Sequence, residues 1–261
     1  QERSQTRGLL PKAVSSIASD SEARRIIAGL VDGSVFAYRT DGPSSTTRGG
    51  EPSTLDALCS VAVVNSHWHA VKRVNERKLV CFSQSEDASR ARVLDDAITA
   101  LQIMPVEGGV FAAYACETRY VRIWDPFVNS RQQWSSARCA SSIKCLAVGS
   151  GMVYAGCEDG HLYQWRAYRP PMDWDFTGIT VLTMSGHVGP ITAIATTEGR
   201  PRLVSAGTDK TVRLWNTDDG RLLRTFFGHE APVRSLAISS DGCFAASGDD
   251  CGQIRLWWIG E

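Results

Sequence analysis

At 261 residues the chain is long enough to bury a sizeable core, and 28 Lys plus Arg against 28 Asp plus Glu leave it without net charge. That balance offers no field to nucleic acid or an anionic membrane, and no apolar run approaches the ~18 residues needed to span a bilayer. Eight cysteines with no C-x-x-C pair, in a chain this long, argue for buried reduced thiols rather than a disulfide scaffold. Such thiols imply an intracellular protein, cytoplasmic or nuclear. The opening QERSQTRG is polar and lacks the apolar core of a signal peptide. A chain that starts on Gln1 rather than Met reads as a piece of something longer.

In chain order the sequence reads as short strands separated by turns. AVSSIAS, RIIAGL and the stretch closing on Tyr38 come first. The Gly, Ser, Thr and Pro of TDGPSSTTRGGEPSTLD then predict a flexible loop, with an outer strand that is short or absent. LCSVAVV, HAVKRV and VNERKLVCF follow, the last closing on Phe82, with RARVLD as a more polar outer strand. The same order recurs with AITALQIM, VFAAYA and a stretch closing on Trp124, and again with IKCLAVG, MVYAGC and a stretch closing on Trp165. About eight extra residues enter at RAYRPPMDWDFTG, a Pro-bearing insertion that holds Trp174 and Phe176. Beyond TVLTMSG one paragraph is written twice: the unit opening at Gly186 closes on Trp215, and the unit opening 42 residues later at Gly228 closes on Trp257.

The closing aromatics stand at 38, 82, 124, 165, 215 and 257, spaced 44, 42, 41, 50 and 42. A period of about 40–45 residues, opening on Gly-His and closing on an aromatic, is the pattern of one four-stranded propeller blade per repeat. These residues resemble the WD40-repeat family, most closely in the pair from Gly186 to Trp258. The resemblance implies an all-β WD40 β-propeller with six visible repeats across 1–261, closed as a six-bladed ring. A seven-bladed ring with one blade missing or unread is the rival. The last repeat lacks an outer strand, and residues 4–10 are expected to complete it, which removes an open sheet edge.

His187, Ser205 and Asp209 have the residue types of a hydrolase triad. No oxyanion hole or pocket is signalled beside them, so catalysis is not expected. The family resemblance instead makes His187, Ser205, Asp209 and Trp215 a hydrogen-bonded structural tetrad. In the last repeat His229, Ser247 and Trp257 are kept, while Cys251 stands where the acid belongs. That repeat is therefore expected to be flawed and held by ring closure. The fourth repeat keeps Asp159 and Trp165, and the third keeps Trp124 but has Thr118. His67 and His69 alternate along one strand without a third ligand nearby, so no metal and no cofactor are expected.

In the WD40 family the residue before the tetrad acid points onto the top face around the channel. Seven residues before each closing aromatic these are Val31, Asn75, Glu117, Glu158, Thr208 and Asp250. Glu117, Glu158 and Asp250 make that rim partly acidic, diluted by the nearby Arg119 and Lys210, and suited to a basic peptide segment. Trp174 and Phe176 are a second candidate surface. The expected function is a non-enzymatic protein-interaction scaffold in an intracellular complex, without membrane insertion. A ribonucleoprotein or RNA-processing assembly is the alternative setting, with direct nucleic-acid contact not expected, and a propeller enzyme is a third reading without residue support.

Overall fold

The computed structural model describes residues 96–106, 109–124, 134–135, 138–166, 180–197, 199–239 and 241–260. Nearer the N-terminus it describes the backbone of eight strands, with the side chains of Lys78, Leu79 and Cys81. All regular structure among these residues is β. Contacts divide the chain into two compact units: Gln1–Asp95 with Pro105–Val110, and Asp96–Met104 with Phe111–Glu261.

The first unit holds two four-stranded antiparallel sheets. One is β1 (Val14–Ser19), β2 (Arg25–Leu30), β3 (Val35–Arg39) and β4 (Ser45–Arg48), in that order. The other is β5 (Cys59–Val64), β6 (His67–Asn75), β7 (Lys78–Ser83) and β8 (Arg90–Val93). The outer strand expected to be short or absent after Arg39 is present as a four-residue strand, with Ala37 opposite Thr46 and Tyr38 opposite Ser45. Its Ser-Thr-Thr core has β-branched residues that suit a pleated edge, and the flanking Gly-Pro and Gly-Gly set its limits.

Four further sheets follow. The third is β9 (Ile98–Val106), β10 (Gly109–Cys116), β11 (Val121–Trp124) and the two-residue β12 (Trp134–Ser135). The fourth is β13 (Ile143–Gly149), β14 (Met152–Cys157), β15 (His161–Arg166) and β16 (Thr180–Ser185). The fifth is β17 (Ile191–Thr196), β18 (Arg202–Gly207), β19 (Val212–Asn216) and β20 (Leu222–Phe226). The sixth has three strands, β21 (Val233–Ile238), β22 (Phe244–Asp249) and β23 (Ile254–Trp258). All six closing aromatics lie in the third strand of a sheet.

Packing explains the sequence patterns. Every residue of β18 is buried, because both faces of this sheet are covered. One face packs Leu203 and Trp215 against Ala147, Tyr154, Leu162 and Met184 of the fourth sheet. The other packs Val204, Ala206, Val212 and Leu214 against Val233, Ala245 and Ile259 of the sixth. Each fully buried large apolar side chain contributes about 1.5–3 kcal/mol. In the sixth sheet burial along β23 alternates between half-buried and exposed residues. Ile254 and Leu256 are 82% and 68% exposed, whereas their counterparts Val212 and Leu214 are 0% and 4%.

A β-bulge recurs where the first strand of a sheet meets the second. The register skips one residue between Ile143 and Cys145, between Ile191 and Ala193, and between Val233 and Ser235. The extra residues are Lys144, Thr192 and Arg234. A bulged residue leaves the ladder and its side chain is re-aimed, which matters at the rim below.

Candidate functional site: a repeated turn rim over buried polar networks

In the fifth sheet the Gly-His histidine meets the second and third strands. Nδ1 of His187 lies 2.9 Å from Oδ2 of Asp209, and Nε2 lies 2.7 Å from Oγ of Ser205. Trp215 Nε1 donates to the same Ser205 Oγ at 2.8 Å. Asp209 also accepts from the Val188 and Thr211 backbone amides, both at 3.1 Å, and from the Thr211 hydroxyl at 2.8 Å. One proton arrangement satisfies the whole chain: Trp215 N–H to Ser205, Ser205 O–H to His187 Nε2, and His187 Nδ1–H to Asp209. Burial holds His187 below the ordinary histidine range against the pull of Asp209, which keeps it neutral as that chain requires. Burial pushes the Asp209 carboxyl up, but His187 and the Val188 and Thr211 donors outweigh it and hold it below the usual carboxylate range.

Ser205 is completely buried and His187 is 6% exposed, so no substrate can reach this triad-like set. Both ring nitrogens are already engaged.

The sixth sheet corrects the sequence reading. Its network is complete, with Asp249 rather than residue 251 as the acid. His229 Nδ1 lies 2.7 Å from Asp249 Oδ2, His229 Nε2 lies 2.6 Å from Ser247 Oγ, and Trp257 Nε1 donates to Ser247 at 2.8 Å. Asp249 stands where the fifth sheet has Gly207, eight residues before the closing tryptophan. A Cβ at Gly207 would lie 3.3 Å from His187 Nδ1, so a carboxylate rooted at that position reaches the histidine directly. The exposed Cys251 gives only its backbone amide, to Asp249 Oδ1 at 3.0 Å. The acid was visible in SGDDCG, but strict register with Asp209 pointed past it.

Other sheets fill the same places with different chemistry. In the third, Thr118 donates to Asp96 Oδ2 at 3.1 Å and Arg122 pairs with the same oxygen at 3.1 Å. In the fourth, Cys139 lies four residues before Ile143, as His187 does before Ile191, and Cys157 takes the place of Asp249. The two buried thiols are hydrogen-bonded to each other, and that bond together with burial drives the Cys157 thiol far up. Burial likewise pushes Cys145 up to about 12 and Cys116 up to about 11. No two of the seven described cysteines are joined in a disulfide. Ala155 stands where Ser205 does, and Trp165 Nε1 is buried without a hydrogen-bond partner among the described residues. Asp159 caps its turn by accepting from the His161 amide at 3.1 Å.

The turn rim sits directly above these networks. Each rim amide donates to the carbonyl just before the first strand of its sheet: Glu117 to Ala97 at 3.0 Å, Glu158 to Ser142 at 2.9 Å, Thr208 to Pro190 at 3.0 Å and Asp250 to Pro232 at 3.0 Å. One repeated bond thus places the four residues equivalently. The third turn position needs a left-handed backbone. Gly160 and Gly252 take it freely at φ 83° and 78°, whereas Arg119 and Lys210 hold it at 70° and 63°. A non-glycine residue there carries roughly 1–2 kcal/mol of strain.

The rim acids do not stand alone. The bulged Lys144 reaches Glu158 at 3.5 Å, and the bulged Arg234 grips Asp250 through two bonds of 2.8 and 2.7 Å. The Arg234 bonds hold the Asp250 carboxyl below its usual range. The field is thus moderated by Lys144 and Arg234, while Arg119 turns to the Ala140 carbonyl. Asn75 lies at the end of β6, opposite Lys78. Val31, Trp174 and Phe176 lie outside the described residues, as do residues 4–10. His67 and His69 lie in β6, known by its backbone. Among the described residues no three His, Cys, Asp or Glu side chains converge as a metal site requires, and no helix is long and apolar enough to cross a membrane.

Comparison with known proteins agrees with this geometry. Residues 178–216 and 220–257 match the family described as WD domain, G-beta repeat. Ribosome biogenesis protein YTM1 of Kluyveromyces lactis is 36% identical over 128 residues, covering 44% of this chain and 26% of that protein. Kinesin-like protein KIF21B of Mus musculus is 28% identical over 115 residues, covering 44% of this chain and 6% of that protein. Apoptotic protease-activating factor 1 of Rattus norvegicus is 30% identical over 103 residues, covering 40% and 8%. The chain therefore spans at most about a quarter of the length of these relatives. Among solved structures, the computationally designed Ika4 protein superposes with a TM-score of 0.53 at 25% identity, over 64% of this chain and 93% of that one. Residues 178–257 thus carry WD40 repeats with two complete His-Ser-Asp-Trp networks, and the four-stranded antiparallel sheets around them are those of an all-β propeller fold.

Proposed function

We propose that the chain is a non-catalytic protein-interaction scaffold, presenting its turn rim to protein partners within an intracellular complex, cytoplasmic or nuclear. The observation that carries this is the division of labour within each repeat. The polar residues that could do chemistry are buried and mutually bonded, while Glu117, Glu158 and Asp250 are exposed at positions set by one repeated backbone bond. Glu158 and Asp250 already hold cations, and a basic peptide segment would exchange with Lys144 and Arg234 for them. Thr208 adds a neutral hydroxyl to the same rim. Charge reversal at Glu117, Glu158 and Asp250 together is expected to remove most partner capture by the tagged chain in quantitative pull-down. Unaltered capture removes the rim from the reading.

A ribonucleoprotein-assembly setting is the second reading, favoured by the likeness to a protein named for ribosome biogenesis. There the chain would act through protein contacts, since its charges balance at 28 against 28. Capture that survives ribonuclease supports this role, and salt-dependent RNA binding by the chain alone replaces it with direct RNA contact.

The same reading takes 1–261 as one propeller of six blades, with residues 4–10 supplying the strand that the sixth sheet lacks. Among the described residues no strand pairs with the outer edge of β23, and that supports it. Deleting residues 4–10 is then expected to lower the melting temperature, and an unchanged melt removes that closure.

A further inference from the structure

Blade five carries a cleft that the repeat does not require. Arg202 opens β18 opposite Asn216 at the end of β19. The matching pairs are Met152 with Arg166 in the fourth sheet and Phe244 with Trp258 in the sixth. Where its neighbours place methionine or phenylalanine, the fifth sheet therefore holds a guanidinium at 9% exposure, its Nη1 donating to the Ile259 carbonyl. Desolvating a charge is costly, and sheet packing gains nothing from it that an apolar side chain would not supply.

A cavity of about 430 Å³ opens beside it, lined by Arg200, Pro201, Arg202, Asn216 and Leu223. Leu223 is the extra residue of a bulge, since Leu214 faces Arg224 and Trp215 faces Leu222. It is 50% exposed. Asn216 Oδ1 accepts from the Asp218 amide at 2.8 Å, so its side-chain nitrogen is the group available to a ligand. Arg224 follows the lining Leu223 in β20, its Nη1 donating to the Trp258 carbonyl at 3.1 Å and its guanidinium lying 5.7 Å from the Phe226 ring centre. Two arginines thus line the cavity, and a third is the next residue after its leucine wall. Asp241, which Arg200 influences, is engaged by the Ser239 hydroxyl and the Cys243 amide at 2.5 and 2.9 Å. Asp219 is paired with Arg221 at 3.4 Å.

We propose that this cleft docks an acidic segment of a partner protein, with a carboxylate held by Arg200, Arg224 and Asn216 and a neighbouring aliphatic side chain against Leu223 and Pro201. Forked guanidinium donors match carboxylate geometry, and the leucine and proline walls favour an acidic–aliphatic peptide over a nucleic-acid backbone. The proposal rests on the scaffold reading and adds a second surface of opposite charge preference to the rim.

Fluorescence anisotropy of a labelled hexapeptide of alternating aspartate and leucine tests it, beside a lysine–leucine hexapeptide and a single-stranded RNA. The acidic peptide is expected to bind the wild-type chain. The exposed pair Arg200→Glu and Arg224→Glu together should weaken it by roughly ten-fold or more, with tryptophan-fluorescence melts confirming that the variant is folded. Absent binding, affinity unchanged in the folded double variant, or equal binding of the basic peptide or the RNA overturns the cleft. Failure of the peptide while rim-dependent capture persists overturns the cleft alone. Peptide binding without rim-dependent capture overturns the rim and leaves the cleft standing.

Discussion

Replacing Asp209 with alanine is expected to cost about 2–4 kcal/mol and to lower the melting temperature by roughly 5–10 °C. The buried His187 would lose its Nδ1 partner, and the Val188 and Thr211 amides would lose theirs. Asp218→Ala, three residues after the closing Trp215 and in an exposed turn, should stay within ~0.5 kcal/mol. Paired thermal melts decide it, and equal melting temperatures would falsify the network's structural role. Acid should act through the same residues. His187 titrates below its ordinary 6.5 when folded, so the unfolded chain binds the extra proton and stability falls as pH drops below about 6.5. Asp209, held below 3.8, retains its contribution through that range and loses it only as pH falls through its lowered folded value. Both signs agree, so melts at pH 5.5 should lie below those at pH 7.5, and a rise on acidification would contradict the assignment.

The second large effect falls on the sixth sheet. Asp249→Ala removes the acceptor for His229 Nδ1 and for the Cys251 and Gln253 amides. Its melting temperature should drop by an amount comparable to that of Asp209→Ala. Cys251→Ala should be nearly silent, since that residue is exposed and contributes its amide rather than its side chain. Cys251→Asp should likewise bring no gain, because the histidine is already paired. A stabilised Cys251→Asp beside a silent Asp249→Ala would restore the acid to position 251. The flaw expected in this repeat is thus absent from its polar network, and among the described residues its three strands and its exposed Ile254 and Leu256 are what distinguish it.

The sequence by itself determined the repeat. Six aromatics at near-constant spacing located six third strands, because a blade of fixed strand length forces a fixed period. It also picked out His187, Ser205, Asp209 and Trp215, whose residue types and order survive in the fifth repeat unaltered. The strand at Ser45–Arg48 was hidden by its Gly and Pro neighbours, since composition reports the turns around a four-residue edge more loudly than the edge.

Tertiary structure alone decided which side chains meet. A histidine can be served by an acid from either of two positions in the turn, so register could not tell Asp249 from residue 251. The Cys139–Cys157 pair, the Asp96–Thr118 pair and the ion pairs of Lys144 and Arg234 join residues 14 to 22 positions apart, too far for local pattern to link. The bulges that aim Lys144 and Arg234 at the rim, and Leu223 at its cleft, exist only once neighbouring strands are in register. Periodicity is written in one strand at a time, whereas charge pairing and clefts are properties of sheets brought together.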